Sequence, residues 1–463
     1  MDGVDRRNGR AATAPAGERP ASAFLSHHRG AVLVGSALVL TTVLWILGKV
    51  EDGWPADLWP WRAPCQLTIL WSLVLMAISL VAGARAQVLE AWFGGLDRAV
   101  ALHRVIGPLA MALLFAHIAL LVPIWRAQGI PTMRIVVPFT WGDVSIFDVF
   151  TVASWGFLIL TGLAYSRRLR YERWQLVHGF YGLLFVVSAY PSLFIPGSIS
   201  AFEPLRLWMA MLVFAGTAAL VYRLFLFRRL GPRYRYALDR VVGHGALAYD
   251  LVLTPAQRRM SYAPGMFVFL SVPASPVVPP EFHPFSLSST PVTREMRLSI
   301  RAVGDYSRAL RRLPPGHAVD VYGPFGGLTT HATAAWRELV CIGAGMGITP
   351  FLGMLSFDVT NDDERRIRLY YVVATADDAP YDGDIRDLCA MSRSEVAYEL
   401  WPSDARGRIT AAAVAEAVAG ALASGDCAVM LCGSAAFVAD LTRQFRAVGV
   451  ARERIVAEGF SFR

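Results

Sequence analysis

Three histidines stand inside long apolar runs of this 463-residue chain: His103, His117 and His178. An ionisable ring in lipid is costly to keep there, so each is a candidate for chemistry before packing. His103 and His117 are fourteen residues apart, which on a helix returns them to nearly the same face, separated by about 21 Å along the axis. His178 opens another apolar run, just after an arginine-rich loop and at the depth of His103. Neutral imidazole is a good axial ligand for haem iron, and two imidazoles on one iron suit electron transfer because both axial positions close. The competing reading is a core histidine hydrogen-bonded to a neighbouring helix, which three rings at matching depths weaken. His27, His28, His244, His317 and His331 show no ligand spacing.

The second half carries a different chemistry. GAGMGITP, 343–350, follows the apolar run ELVCI and opens a helical stretch. Gly343, Gly345 and Gly347 let backbone approach a pyrophosphate, and Ile348, Thr349 and Pro350 begin a helix whose N–H groups and dipole face the anion. HPFSLSS, 283–289, follows the strand-like PGMFVFL. There His283, Pro284 and Phe285 bend the strand, and Ser286, Ser288 and Ser289 supply short donors against a flat ring. Taken alone it also reads as a turn. GPFGG offers Gly323 and Gly326 for close backbone approach. LCGS ends a later strand with Cys432 and Gly433, and a free cysteine there is also the usual small core residue.

The elements that must position these groups fall into three blocks. Hydrophobic residues make up 55% and charged residues 17% of the chain, with a mean hydropathy of +0.42, values that place part of it in lipid. Six apolar runs, at 31–48, 67–84, 102–122, 147–164, 177–195 and 206–227, are near the length of a membrane span. Arginines cluster after the second run (Arg85, Arg98, Arg104), the fourth (Arg167, Arg168, Arg170, Arg173) and the sixth (Arg228, Arg229, Arg233, Arg235). The first linker instead holds Glu51, Asp52 and Asp57 with Trp54, Trp59 and Trp61. Arginine-rich linkers face the cytoplasm, so both termini and the soluble half are expected there, on a multi-pass protein of the plasma or inner membrane. The net charge of +8 is therefore a topology signal and not a nucleic-acid footprint. Five cysteines without CxxC or CxxCH spacing argue against disulfides, zinc and covalently held haem. The first thirty residues, rich in Ala, Gly, Pro and Arg, are expected to be disordered.

The expected architecture is a multidomain membrane protein. A disordered N-terminus (1–30) precedes a six-helix transmembrane bundle (31–227). An antiparallel β-barrel or sandwich domain (232–332) follows, then an α/β parallel-sheet nucleotide-binding domain (333–463). Short alternating runs such as LAYDLVL and MRLSIRAV give the barrel or sandwich. Apolar strands LVCIGAG, IRLYYVVA and CAVMLCG, alternating with helical stretches, give the parallel sheet.

The stretch FGGLDRAVALHRVIG, then His117, then YERWQLVHGF resembles the six-helix domain shared by ferric reductases and NADPH oxidases. HPFSLSS, GAGMGITP and LCGS, in that order, resemble a ferredoxin reductase-like module. The resemblance spans about 31–463 and implies that His103 and His178 hold the cytoplasmic-side b-type haem, with His117 on one side of an outer haem. It implies that Ser286 bonds the flavin near N5 with His283 and Ser288 alongside. Arg301 and Ser307 would meet the FAD diphosphate, where a guanidinium fork suits phosphate oxygens. Cys432 and Gly433 would lie near the nicotinamide, and Phe460, or Phe462, over the flavin. The chain departs from the family at the fourth haem ligand: Pro191 and Ser192 stand where a second histidine would follow His178. Either the outer haem is missing or Met209, Met211 or Tyr190 substitutes; one haem is favoured. Ala376, Asp377 and Asp378 after IRLYYVVAT suit a free ribose 2′-hydroxyl, so NADH is favoured over NADPH unless Arg386 or Arg393 intervenes.

The expected function is membrane electron transfer from NAD(P)H through FAD to haem, with ferric iron or oxygen as acceptor. Alternatives are a single-haem reductase of a quinone or partner protein, and an electron-transfer subunit of a membrane complex.

Overall fold

The computed structural model describes residues 20–52, 59–93, 95–139, 145–166, 169, 171–245, 248–273, 275–328, 336–360 and 365–460. Two compact units emerge, His27–Gly231 and Pro232–Phe462.

The first unit is helical: α1 (Pro20–Asp52), α2 (Trp59–Ala82), α3 (Gln87–Phe93), α4 (Leu96–Ala127), α5 (Met133–Val136), α6 (Ile146–Tyr165), α7 (Tyr171–Ser192), α8 (Ser198–Ala201), α9 (Glu203–Val221) and α10 (Phe227–Leu230). A π-helical turn, Tyr222–Leu226, joins the last two. Among the described residues, five stretches are long and apolar enough to cross a membrane: Arg29–Glu51, Pro60–Ala82, Arg98–Ala127, Ile146–Tyr165 and Glu203–Leu230. The expected fifth span, 177–195, falls largely on α7. Glu172, Arg173, Gln175 and His178 occupy the first turns of that helix and lower its hydropathy. Helix α1 begins at Pro20, inside the segment expected to be irregular, because nothing from Ala21 to Arg29 breaks a helix.

Helix α2 is the centre of this unit. Its Ser72, Val74 and Leu75 are fully buried, and Leu205, Met209 and Val213 of α9 complete the same core. The fit to α9 depends on Gly216, where a Cβ would lie 3.1 Å from the Ala77 Cα. Small residues of this kind let membrane helices approach closely.

The second unit contains two sheets. The first is antiparallel, β1 (Arg233–His244), β2 (Ala248–Pro255), β3 (Phe267–Ser271), β4 (His283–Ser286), β5 (Met296–Arg301) and β6 (Ala318–Phe325), in the order β4-β3-β6-β1-β2-β5. Its two edges meet at a single bridge, Leu287↔Leu298. The second is parallel, β7 (Glu338–Ala344), β8 (Arg366–Val373), β9 (Glu395–Pro402), β10 (Cys427–Ser434) and β11 (Ile455–Phe460), in the order β11-β10-β7-β8-β9. Strand β7 carries fully buried Cys341 and Ile342, the continuous apolar run that a strand covered on both faces requires. Between the sheets and around them lie α11 (Asp305–Leu310), α12 (Thr349–Thr360), α13 (Asp382–Met391) and α14 (Ala435–Ala447).

Candidate functional site

Helices α2 and α4 run past one another so that two imidazoles of α4 are held by carbonyls of α2. The His103 Nδ1 lies 2.9 Å from the Ser79 carbonyl and 2.7 Å from its hydroxyl. The His117 Nδ1 lies 2.8 Å from the Cys65 carbonyl. A carbonyl only accepts, so Nδ1 is the protonated nitrogen in both rings. Each Nε2 keeps its lone pair, which is the orientation that prepares histidine for a metal. The two contacts repeat with a fourteen-residue step on both helices, Ser79 to Cys65 and His103 to His117.

At the first level a second imidazole is present. The ring centroids of His103 and His178 are 5.7 Å apart, a spacing that one metal ion between two ring nitrogens can bridge. His178 is stacked on Trp174 at 4.8 Å and touches Tyr181 at 5.4 Å. Its Nδ1 is buried without a hydrogen-bond partner, an orphan of the kind that a missing group explains. These residues fit a haem held by two imidazoles. At the second level the fit is half of that. Helix α7 ends at Ser192, whose hydroxyl donates back to the Ala189 carbonyl at 2.7 Å. Of the three alternates, Met209 is in the core, while Met211 is 52% and Tyr190 37% exposed.

In the second unit Ser286 ends β4 opposite Phe267 of β3. It is 7% exposed, and among the described residues its hydroxyl makes no hydrogen bond and is not sealed off. The neighbouring hydroxyls are committed. The Ser288 hydroxyl lies 3.1 Å from the Arg297 carbonyl and 2.8 Å from the Ser299 hydroxyl. Ser289 meets the Tyr262 hydroxyl at 2.8 Å and accepts from the Arg297 amide at 2.9 Å. His283 is stacked on Tyr306 at 3.7 Å and bonds Glu281 at 2.8 Å, with Pro284 and Phe285 half-buried beside it. Arg301 is exposed at the end of β5. The Ser307 hydroxyl accepts from the Gly304 amide at 3.0 Å and so closes the turn that starts α11. An isoalloxazine ring fits this wall through the open Ser286 hydroxyl; Ser288 and Ser289 brace the strand end instead.

The glycine loop joins β7 to α12 through one 3₁₀ turn, Gly345–Ile348. Gly345 has φ +54° and open space beyond it, a left-handed position available for ligand approach. Gly343 is packed so closely that a Cβ would stand 2.8 Å from the Ile348 Cα. A Cβ on Gly347 would strike the Cys432 carbonyl. Gly433 is equally tight, 2.9 Å from the Phe437 ring. Strands β8 and β9 leave β7 on one side, β10 and β11 on the other, so the loop sits at the topological switch point where parallel sheets bind nucleotides. Thr349 and Pro350 are buried at the helix start.

The Cys432 thiol is fully buried among Ile348, Cys341 and Met430. Burial, with Glu458 adding, pushes it well above the usual thiol range. Its backbone therefore faces the loop, while the thiol is core. Glu458, 7% exposed and paired in register with Cys432, is a member of this corner that motif reading missed; a Cβ on Gly326 would lie 3.6 Å from its carboxylate. Gly326 and Gly323, at φ +83° and +151°, bring GPFGG against Phe267. The Phe460 backbone pairs with Ser434; its side chain, Phe462 and His331 lie outside the described residues.

Asp377 and Asp378 are exposed in a 3₁₀ turn just beyond β8. The Arg386 guanidinium is held 3.0 Å from Asp382 and lies over Tyr398.

Three family models match the chain: a ferric reductase like transmembrane component over 68–189, an FAD-binding domain over 248–315 and an oxidoreductase NAD-binding domain over 341–443. Among curated relatives, NADPH oxidase 3 of Rattus norvegicus is 33% identical over 131 residues, 26% of this chain and 22% of that protein. NADPH oxidase 1 of Mus musculus is 31% identical over 140 residues, 28% and 23% of the two chains. The matched stretch thus spans less than a quarter of these relatives. Among solved structures, the flavohem-like FAD/NAD binding domain of a nitric oxide dioxygenase from Vibrio cholerae O1 biovar El Tor aligns at 21% identity, with a TM-score of 0.41, covering 49% of this chain and 98% of that one.

Proposed function

We propose, for a chain that belongs to the ferric reductase-like transmembrane oxidoreductases with FAD- and NAD-binding modules, that it draws electrons from NADH through FAD to one haem in its helical unit. The observation that carries this reading is the His103–His178 pair. One ring is fixed by Ser79 with Nε2 free, and the other stands 5.7 Å away with an orphaned Nδ1.

Bound nicotinamide and flavin would supply two-electron hydride chemistry, and haem one-electron transfer. The protein supplies the positions. Gly345 would admit the pyrophosphate at the switch point while Gly347 holds the loop against Cys432, and Ser286 would offer its hydroxyl to the flavin edge. Arg301 and Ser307 would meet the FAD diphosphate, and Gly433 would lie near the nicotinamide. His103 and His178 would hold the haem iron. NADH is preferred because Asp377 and Asp378 suit a free 2′-hydroxyl while Arg386 is spent on Asp382. The six-stranded sheet is read as the barrel of the FAD module, and α7 as a sixth span. With six spans, the arginine-rich loops put both termini and the second unit on the cytoplasmic side.

His117 lacks an imidazole partner on α7 among the described residues, which supports a single haem and an acceptor that enters the membrane. That favours a quinone or a docked partner alongside ferric iron or oxygen. The test is spectral and stoichiometric. The purified chain, reconstituted with FAD and haem in detergent, is mixed anaerobically with NADH. Flavin bleaching followed by haem reduction, at one haem per FAD, is expected. A preparation that takes up neither group, or reduces flavin but never haem, overturns the reading.

A further inference from the structure

We propose that Gly353 and the Asp250–Tyr381 contact are positioning devices for hydride transfer, fixing how the nucleotide-binding sheet stands against the flavin-binding strand. This rests on the function proposed above. On that reading the two reacting rings would be held by different sheets of the second unit, flavin by Ser286 on β4 and nicotinamide by the ends of β7 and β10. Whatever sets the distance between those sheets sets the distance the hydride must cross.

Two contacts do so. Gly353 lies on the buried face of α12, one turn past the glycine loop. A Cβ there would stand 2.6 Å from the carbonyl oxygen of Leu287, the residue that follows Ser286. The nucleotide-binding helix therefore rests directly on the flavin strand's backbone, at a point where only hydrogen fits. A carbonyl cannot swing aside like a side chain, because Leu287 is also fixed by its amide to the Met266 carbonyl at 2.9 Å and by its bridge to Leu298.

The second contact is a buried carboxylate. Asp250 on β2 is 1% exposed. It accepts from Ser299 at 2.6 Å, from His244 at 2.9 Å and from the Tyr381 hydroxyl at 3.2 Å. Arg297 of β5 stands 3.6 Å from it and 3.4 Å from Asp384 of α13. Ser299, His244 and Arg297 belong to the flavin sheet; Tyr381 and Asp384 belong to the nucleotide module. Ser299 also bonds Ser288 at 2.8 Å, two residues beyond Ser286, so the network ends at the flavin strand. A buried charge satisfied by groups from both modules resists their sliding, because any slip strands it.

The experiment uses the full chain in detergent, loaded with FAD. Flavin reduction by NADH is followed by anaerobic stopped flow for the parent, Gly353→Ala and Tyr381→Phe. The limiting rate is expected to fall about 10- to 100-fold in Gly353→Ala, the scale of a displacement near 1 Å, and several-fold in Tyr381→Phe. FAD content and half-saturating NADH stay at parental values in Tyr381→Phe. The long-wavelength absorbance that NAD⁺ induces on the dithionite-reduced protein weakens in the same order. Parental limiting rates in Tyr381→Phe, or loss of FAD and NADH affinity in step with rate, overturn the proposal; should Gly353→Ala not fold, Tyr381→Phe decides it alone. A parent whose flavin NADH never reduces refutes the function proposed above instead.

Discussion

Replacing Gly347 by alanine should open the nucleotide corner without touching flavin or haem. A Cβ at this position would stand 2.5 Å from the Cys432 carbonyl carbon and 2.8 Å from the Gly433 nitrogen. Carbon atoms pack best at about 3.5–4.0 Å, so the glycine loop and the end of β10 must part by roughly 1 Å at Cys432. Overpacking of this size costs about 1–3 kcal/mol. If the strain is borne by the strand ends that meet the nucleotide, affinity falls about 5- to 100-fold, at about 1.4 kcal/mol per factor of ten. Titration of NAD⁺ into the FAD-loaded, detergent-solubilised chain by calorimetry measures this directly, and flavin absorbance checks that FAD stays bound. Gly383→Ala is the silent control, a helical position with nothing within 4 Å of an added Cβ. Parental NAD⁺ affinity in Gly347→Ala refutes the assignment of this loop.

Three further outcomes are expected. His178→Ala loses haem and keeps FAD, whereas His117→Ala keeps its haem; pyridine haemochrome and flavin release quantify both, and haem loss in both variants alike sinks the single-haem reading. Asp378→Arg moves the ratio of kcat/KM for NADH over NADPH toward NADPH by roughly tenfold, and an unchanged ratio removes this turn from the ribose site. The hydrogen bond that His244 donates to Asp250 raises the His244 pKa against the opposing effect of burial. A raised imidazole stabilises fully below its unfolded value of about 6.5 and loses that contribution as pH climbs through the folded value. Burial would raise Asp250, but the bond from His244 and the nearby Arg297 hold it below the usual carboxylate range, so its contribution is lost only in acid. The thermal midpoint should therefore decline as pH rises past the ordinary imidazole range, and His244→Gln should flatten that limb.

Local chemistry made much of this molecule readable from its sequence. Runs of apolar residues broken by arginine mark spans because lipid admits little else. GAGMGITP reads as strand, turn and helix because Gly343 and Gly347 meet backbone that no side chain could face and Gly345 takes a left-handed φ. Contacts that close over long sequence separations were not readable. Tyr381 reaches Asp250 from 131 residues away, and neither residue belongs to a motif. Ser288 and Ser286 look alike in HPFSLSS, yet one hydroxyl is sealed into a network and the other is left open. Only the partner strands decide which. Glu458 was overlooked because a carboxylate near a chain end reads as surface, whereas pairing of β11 with β10 carries it inward.

The repeated carbonyl contacts of α2 have a consequence for how the helical unit can vary. Both imidazoles of α4 hang from one neighbour at Cys65 and Ser79, so they move as a gang. A one-residue insertion between these anchor points would turn the far carbonyl about 100° away and unhook a single ring, whereas an insertion before Cys65 would leave both couplings intact. Length changes in this helix are thus tolerated at its ends and punished in its middle.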